Sequence, residues 1–225
     1  MMNLIFVETA LELIPPEIIT HPSVRRNAKR HGKPAEENLL DRSLHHFAMN
    51  RLPENERRGR PDIIHFCLLE AMGSPLNKSG ELRVWINTQQ GYTITVDPST
   101  RPPRDYNRFK SLMEQLFVDK KSPATGVPLL TLNKMSLKEL INYLNTSIVI
   151  ALSSHGEKSS FEEVSKIIVK ESNPAILIGA YPSGPLSDEA LNLSDKVLSV
   201  YPEPLEAWTV LSRTLCVVEK ALGIF

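Results

Sequence analysis

The sequence predicts an α/β fold with a parallel sheet, on three observations. From about residue 129 onward, short apolar runs alternate with amphipathic stretches in the order βαβα. That order implies parallel strands with helices on the sheet faces. The run 3–8, centred on Leu4-Ile5-Phe6-Val7, reads as a first strand. The ends of the later strands carry glycine and proline, at Gly179, Gly184, Pro202 and Pro204. In parallel sheets, ligands bind beyond such carboxyl ends.

The elements follow in order. After the first strand comes a basic, Pro- and His-containing stretch with Arg25, Arg26, Lys29, Arg30 and Lys33 and no acid among them. It reads as a mobile or RNA-facing loop, or simply as a solvated face. A helix is predicted over 37–51, with Leu39, Leu40, Leu44 and Phe47 on one side. Another is predicted over 63–73, ended by Gly73-Ser74-Pro75. Period-two alternation over 82–96, broken by Gln89-Gln90-Gly91, predicts a β-hairpin, and 105–118 returns to helix. Strands are then predicted at 129–132, 147–152, 175–180 and 196–201, and helices at 136–144, 160–171 and 203–222. Ser159-Ser160-Phe161-Glu162-Glu163 carries capping chemistry for the helix over 160–171. A strand ending at Tyr201 meets Pro202 and Pro204, which stiffen the corner into the last helix.

Composition bounds the function. The chain has 225 residues, 26 Lys+Arg against 26 Asp+Glu, and 41% hydrophobic residues, which is globular and does not advertise a polyanion binder. Cys67 and Cys216 are far apart inside apolar helical patterns, so both are expected as buried thiols in a reducing, cytoplasmic setting. No membrane span, signal peptide or metal site is expected. Trp85 and Trp208 read as packing residues. His45, His46 and His155 lack companions at ligand or triad spacing.

Three constellations carry chemistry. The first is the set of strand ends Leu152 to Gly156, Ile178 to Gly184, and Leu198 to Glu203. Neither a G-x-G-x-x-G fingerprint nor a P-loop is present, so a ligand held by main-chain groups with a purine in an apolar slot stays open beside ordinary turns. The second is Arg60-Pro61-Asp62. Pro61 suits the first helical turn, and Asp62 meets the positive end of the helix dipole. An Arg60–Asp62 pair and a carboxylate aimed at a bound base are both open readings. The third is Arg101-Pro102-Pro103-Arg104-Asp105-Tyr106-Asn107-Arg108-Phe109. Arg104 and Arg108, four apart as a helix begins, are expected on one face as a phosphate-binding array, with Tyr106 and Phe109 as aromatic surface. A solvated helix edge is the alternative.

Taken together, Arg60-Pro61-Asp62, Ser74 to Gly80, the hairpin ending in Asp97-Pro98, the Arg101–Arg108 run, Ile178-Gly179-Ala180 and Leu198 to Pro202 resemble one family. It is the ribosome-biogenesis pseudouridine methyltransferases of small-subunit rRNA, in the SPOUT (α/β-knot) superfamily. The resemblance spans nearly the whole chain. It implies a single SPOUT domain over 1–225, with a parallel sheet, a carboxyl-terminal trefoil knot, and a family-specific β-hairpin/helix insert at about 80–110. It implies S-adenosylmethionine as methyl donor and methylation of nitrogen 1 of a pseudouridine in small-subunit rRNA, in a cytoplasmic homodimer. Ribosomal proteins or assembly factors are further expected partners. Cofactor contacts map onto Leu152, Gly179, Gly184, Leu198, Ser199, Val200, Tyr201, Pro202 and Glu203. RNA contacts map onto Arg60, Asp62, Arg101, Arg104 and Arg108, with Asp62 as the candidate catalytic base. Tyr181-Pro182-Ser183-Gly184-Pro185 departs from the Lys-containing versions of the cofactor loop. A non-enzymatic rRNA-binding assembly factor, and a SPOUT methyltransferase acting on another RNA, are the competing functions.

Overall fold

A computed structural model describes residues 1–224; Phe225, the last residue of the expected domain, lies outside the described residues. Eight strands join one sheet in the order β4-β5-β3-β2-β1-β7-β6-β8. They are β1 (Met2–Thr9), β2 (Leu82–Thr88), β3 (Tyr92–Val96), β4 (Lys121–Ser122), β5 (Leu130–Lys134), β6 (Ile148–Lys158), β7 (Pro174–Gly179) and β8 (Lys196–Ser199). The pairs β1–β2, β1–β7, β6–β7 and β6–β8 are parallel, whereas β2–β3, β3–β5 and β4–β5 are antiparallel. The expected hairpin is β2–β3. Because β2 runs beside β1 from Met2↔Leu82 to Thr9↔Thr88, the hairpin extends the sheet from its middle rather than projecting from it.

Nine α-helices accompany the sheet among the described residues: α1 (Pro22–His31), α2 (Arg42–Met49), α3 (Pro61–Gly73), α4 (Pro75–Lys78), α5 (Tyr106–Asp119), α6 (Leu137–Leu144), α7 (Phe161–Ile168), α8 (Asp188–Asn192) and α9 (Ala207–Ala221). Alternation along β1 explains the two layers. Leu4 and Phe6 face a core shared with α3, α5, α7 and α9, while Ile5 and Val7 face a second core under α6 and α8. A strand buried on both faces is apolar along its centre, as Leu4 to Val7 are here. A third cluster, with Ile18, Val24, Leu40 and Met49, seats α1 and α2.

Local chemistry sets the helix bounds. Ser160 and Glu163 form the expected capping box of α7, and Ser136 with Glu139 forms another on α6. Ser74 ends α3 and its hydroxyl accepts the Asn77 N–H at 3.1 Å, so Pro75 starts a short α4 where a plain stop was expected.

Several expectations are corrected. The basic stretch around Arg25 to Arg30 is helix α1, begun by Pro22 and ended by Gly32 at φ 65°. Its buried side is only Val24, too little for a periodic signal. Strand β8 stops at Ser199, short of Tyr201, because the Ser199 hydroxyl turns to donate to Tyr201 O at 2.9 Å. Helix α9 starts at Ala207, beyond the prolines. Cys67 is buried as expected, with burial pushing its thiol pKa upward, but Cys216 lies on the outer side of α9 and is exposed. Among the described residues no helix is long and apolar enough to cross a membrane.

One register feature shapes the site. Leu198 lies opposite both Leu152 and Glu157, so residues 153–156 leave the ladder and return to the same partner. At Gly156 a Cβ would sit 2.6 Å from the Val197 carbonyl carbon and oxygen. Only glycine lets two backbones pass this closely.

Candidate active site

The three strand ends meet. A cleft of about 490 Å³ opens between residues 152–155 of β6 and the segments after β7 and β8, closed on one side by Ile63 of α3 and by the start of α9. Of the residues expected there, Leu152, Gly179, Gly184, Val200, Tyr201 and Glu203 line it. Leu198, Ser199 and Pro202 do not: Leu198 and Ser199 are buried in β8, and Pro202 faces solvent. From the expected strand-end segments the cleft also takes in Ser153, Ser154, His155, Ile178 and Tyr181, and it adds residues that the sequence reading left out of the site, among them Ile63, Glu206 and Thr209.

The two glycines shape its floor. A Cβ on Gly179 would lie 2.7 Å from the Tyr181 ring, and Gly184 holds φ 91°, which disfavours any side chain. Burial, with the Glu8 charge, pushes the Tyr181 hydroxyl up to about 12, so it remains a neutral group. The acidic side chains lining the cleft are Glu203 and Glu206; no Lys or Arg lines it among the described residues. Such a site disfavours a pyrophosphate and suits a ligand that carries positive charge.

Beside the cleft stands Arg60-Pro61-Asp62. The Arg60 N–H donates to Ala10 O at 3.2 Å, and the Ala10 N–H donates to Ala180 O at 2.9 Å, which ties this corner to the end of β7. Arg60 Nε and Nη2 each donate to the Asp62 carboxylate at 2.8 Å. That pairing raises the Arg60 pKa. Both groups are about one-third exposed, at 35% and 30%, so the pair faces the rim.

The Arg101–Arg108 run is anchored next to it. His65, one turn after Asp62, bonds Pro103 O through Nε2 at 2.7 Å and stacks on Phe109 with ring centroids 4.4 Å apart. Arg101, Arg104 and Arg108 are all exposed, and none takes part in an ion pair among the described residues. Two details correct the expectation. Asp105 caps α5, accepting the Arg108 N–H at 2.9 Å, so Arg104 precedes the helix and does not share a helical face with Arg108. Phe109 is fully buried and the Tyr106 hydroxyl donates to Asp41 at 2.9 Å, so neither offers free aromatic surface.

Behind the strip lies a buried polar network. Asp41 also accepts from Lys110 at 2.9 Å, and its N–H donates to His45 Nδ1 at 3.0 Å. His45 Nε2 meets the Asn27 amide of α1 at 3.1 Å. Burial depresses the His45 pKa to about 4. Desolvation works against the Asp41 anion, but the Ser43 hydroxyl and Lys110 overcome it and hold its pKa below the usual value. Among the described residues no cluster of His, Cys, Asp and Glu is arranged to hold a metal ion.

A model of the family described as EMG1/NEP1 methyltransferase matches residues 4–219. The protein named ribosomal RNA small subunit methyltransferase Nep1 from Staphylothermus marinus is 45% identical over 224 residues, covering 99% of this chain and 97% of that one. The protein of the same name from Thermococcus kodakarensis is 41% identical over 224 residues, covering both chains fully. The crystal structure of Archaeoglobus fulgidus Nep1 bound to S-adenosylhomocysteine superposes with a TM-score of 0.88 at 37% identity, covering 98% of each chain.

Proposed function

The chain belongs to the EMG1/NEP1 methyltransferase family, and from that premise we propose that it methylates small-subunit rRNA at nitrogen 1 of a pseudouridine, with S-adenosylmethionine as methyl donor. The observation that carries the reading is the cleft at the three strand ends, with its glycine floor and its carboxylate-only charge.

The residues present fit the donor. The cleft volume lies within the range of small-molecule sites. Leu152, Ile178 and Leu205 give an apolar slot for a purine, and Glu203 with Glu206 supply negative charge toward a cation and acceptors toward hydroxyls. When bound, the donor supplies a methyl group on a positively charged sulfur. The chain's own part is to hold the base in line with that methyl, which lowers the barrier by prior positioning.

Nitrogen 1 of pseudouridine carries a proton, because the base is joined to ribose through carbon, and that proton must leave as the nitrogen attacks. Arg60, Arg101, Arg104 and Arg108 hold the phosphates and favour the developing ring anion. Asp62 is the candidate base on position. Both of its oxygens already accept from Arg60, so the geometry favours a second role, in which Asp62 aims the Arg60 guanidinium and the proton passes to water.

We read the arch of 153–156 over β8 as the crossing of the family's trefoil knot. The exposed Phe66 and half-buried Trp208, with ring centroids 5.3 Å apart across α3 and α9, form the centre of the homodimer interface. The same reading puts the enzyme's work in the cytoplasm, with ribosomal proteins or assembly factors as neighbours on the maturing subunit.

The test is methyl transfer to two RNA loops that differ only in pseudouridine or uridine at the target. Mass spectrometry is expected to find one added methyl on ring nitrogen 1 of the pseudouridine alone. Equal transfer to both loops, or none with cofactor bound, overturns the reading.

A further inference from the structure

Arg57 lies in the loop before Arg60, and its contacts run to the cofactor loop. Nη1 donates to Pro185 O at 2.7 Å, with Ser183 O at 3.5 Å. The guanidinium carbon stands 3.9 Å from the centroid of the Tyr181 ring. Nη2 pairs with Glu8, whose other oxygen accepts the Ser187 N–H at 2.9 Å. Glu8 adopts φ 52°, a left-handed conformation uncommon for a side chain of its kind, at the end of β1. The Arg57 carbonyl accepts from Gln89 Nε2 at 2.8 Å, and the Ser183 hydroxyl donates to Glu56 O at 3.3 Å. A Cβ on Gly184 would stand 2.8 Å from Nη1.

One planar cation therefore binds a carboxylate, a loop carbonyl and an aromatic face at once. Only a guanidinium has the geometry for all three. Its targets, Tyr181 and Pro185, both line the cleft, whereas Arg57 does not.

We infer that Arg57 is a positioning residue for the methyl-donor site: it stacks Tyr181 against Gly179 and fixes 181–185 in the shape that forms one wall of the cleft. The inference rests on the reading of that cleft as the donor site. Fixing the wall before binding removes an ordering cost from the ligand. Loss of the clamp therefore raises the concentration of donor needed, while the chemical step at a filled site is spared. A residue that only holds the fold together lowers thermal stability without that split.

The test compares R57K with R58K. Lysine at position 57 keeps a cation for Glu8 but cannot also span the Pro185 carbonyl and the Tyr181 ring. Arg58, the next residue, pairs instead with Glu12 and makes no hydrogen bond or ion pair to 181–185 among the described residues, so R58K is the control. Calorimetry with S-adenosylhomocysteine is expected to show affinity at least tenfold weaker in R57K and within twofold of wild type in R58K. KM for S-adenosylmethionine should rise by the same factor in R57K, with kcat within twofold and the KM for RNA unchanged. Wild-type affinity in R57K, equal weakening in both variants, or an R57K chain that does not fold each overturns the role of Arg57 alone. A wild-type protein that does not bind S-adenosylhomocysteine overturns the reading of the cleft, and the inference falls with it.

Discussion

Arg60 closes a two-pronged ion pair on Asp62, with Nε and Nη2 each 2.8 Å from a carboxylate oxygen two residues along the chain. An amide at position 62 keeps one acceptor and loses the charge. Asp62→Asn is therefore expected to weaken RNA binding several-fold, leave S-adenosylhomocysteine affinity unchanged, and slow methylation equally at all pH values. Single-turnover rates at saturating RNA decide the matter. Intact RNA binding with slow chemistry that recovers at high pH, as the pseudouridine ionises unaided, makes Asp62 the base instead.

Arg104 is exposed and outside every ion pair of the described residues. Its replacement by alanine should change fold stability by less than about 0.5 kcal/mol. RNA affinity should fall, and the slope of log affinity against log salt should drop by roughly one counterion. Filter binding over a salt series measures both. An unchanged slope removes Arg104 from the phosphate strip.

Gly179→Val puts its Cβ where the Tyr181 ring now lies. The ring must shift, and Tyr181 is part of the cleft lining. Cofactor affinity is expected to fall tenfold or more, which takes about 1.4 kcal/mol. Calorimetry on a folded variant with unchanged affinity removes Gly179 from the site.

His45 is held neutral by burial, with its pKa lowered to about 4 from 6.5. Below 6.5 the unfolded chain takes up a proton that the folded chain refuses. The contribution to stability is complete above pH 6.5 and is lost progressively as pH falls toward about 4. Asp41, with its pKa lowered, adds a loss at still lower pH. Urea midpoints should fall across the upper window for wild type and fall less steeply for His45→Gln.

Trp208 and Phe66 are expected to leave solvent when two chains meet. Sedimentation at micromolar concentration should show a two-chain species for wild type and a one-chain species for Trp208→Asp. A wild-type protein that sediments as a single chain rejects this interface.

The cleft was legible because its makers are glycines and prolines at strand ends, where backbone geometry depends on residue type. Its position between Gly179, Gly184 and the corner after β8 follows from that punctuation. The helix α1 was not legible, since one buried valine leaves no apolar stripe to read. In the sequence Arg57 stands in a cationic run with Arg58 and Arg60, which ordinarily means a solvated face. Its partners lie 49 residues away at Glu8 and 128 away at Pro185, and no local pattern records contacts at that separation. The exposed Cys216 shows the limit of periodicity from another side: a small apolar residue on the outer face of a helix looks like core until the packing partner is known.

The return of β6 to β8 also bears on solubility. β8 is the outermost strand on its side and only four residues long. An outer strand normally offers unpaired N–H and C=O groups to any passing chain. Here Glu157 and Lys158 of β6 stay in register with Leu198 and Ser199, and the Ser159 N–H donates to Ser199 O at 2.8 Å, so pairing with β6 holds the short strand to its end. At the opposite border, β4 is two residues long and opens with a lysine. Both borders of the eight-stranded sheet are thus short, and a short border strand offers few unpaired groups for another chain to pair with.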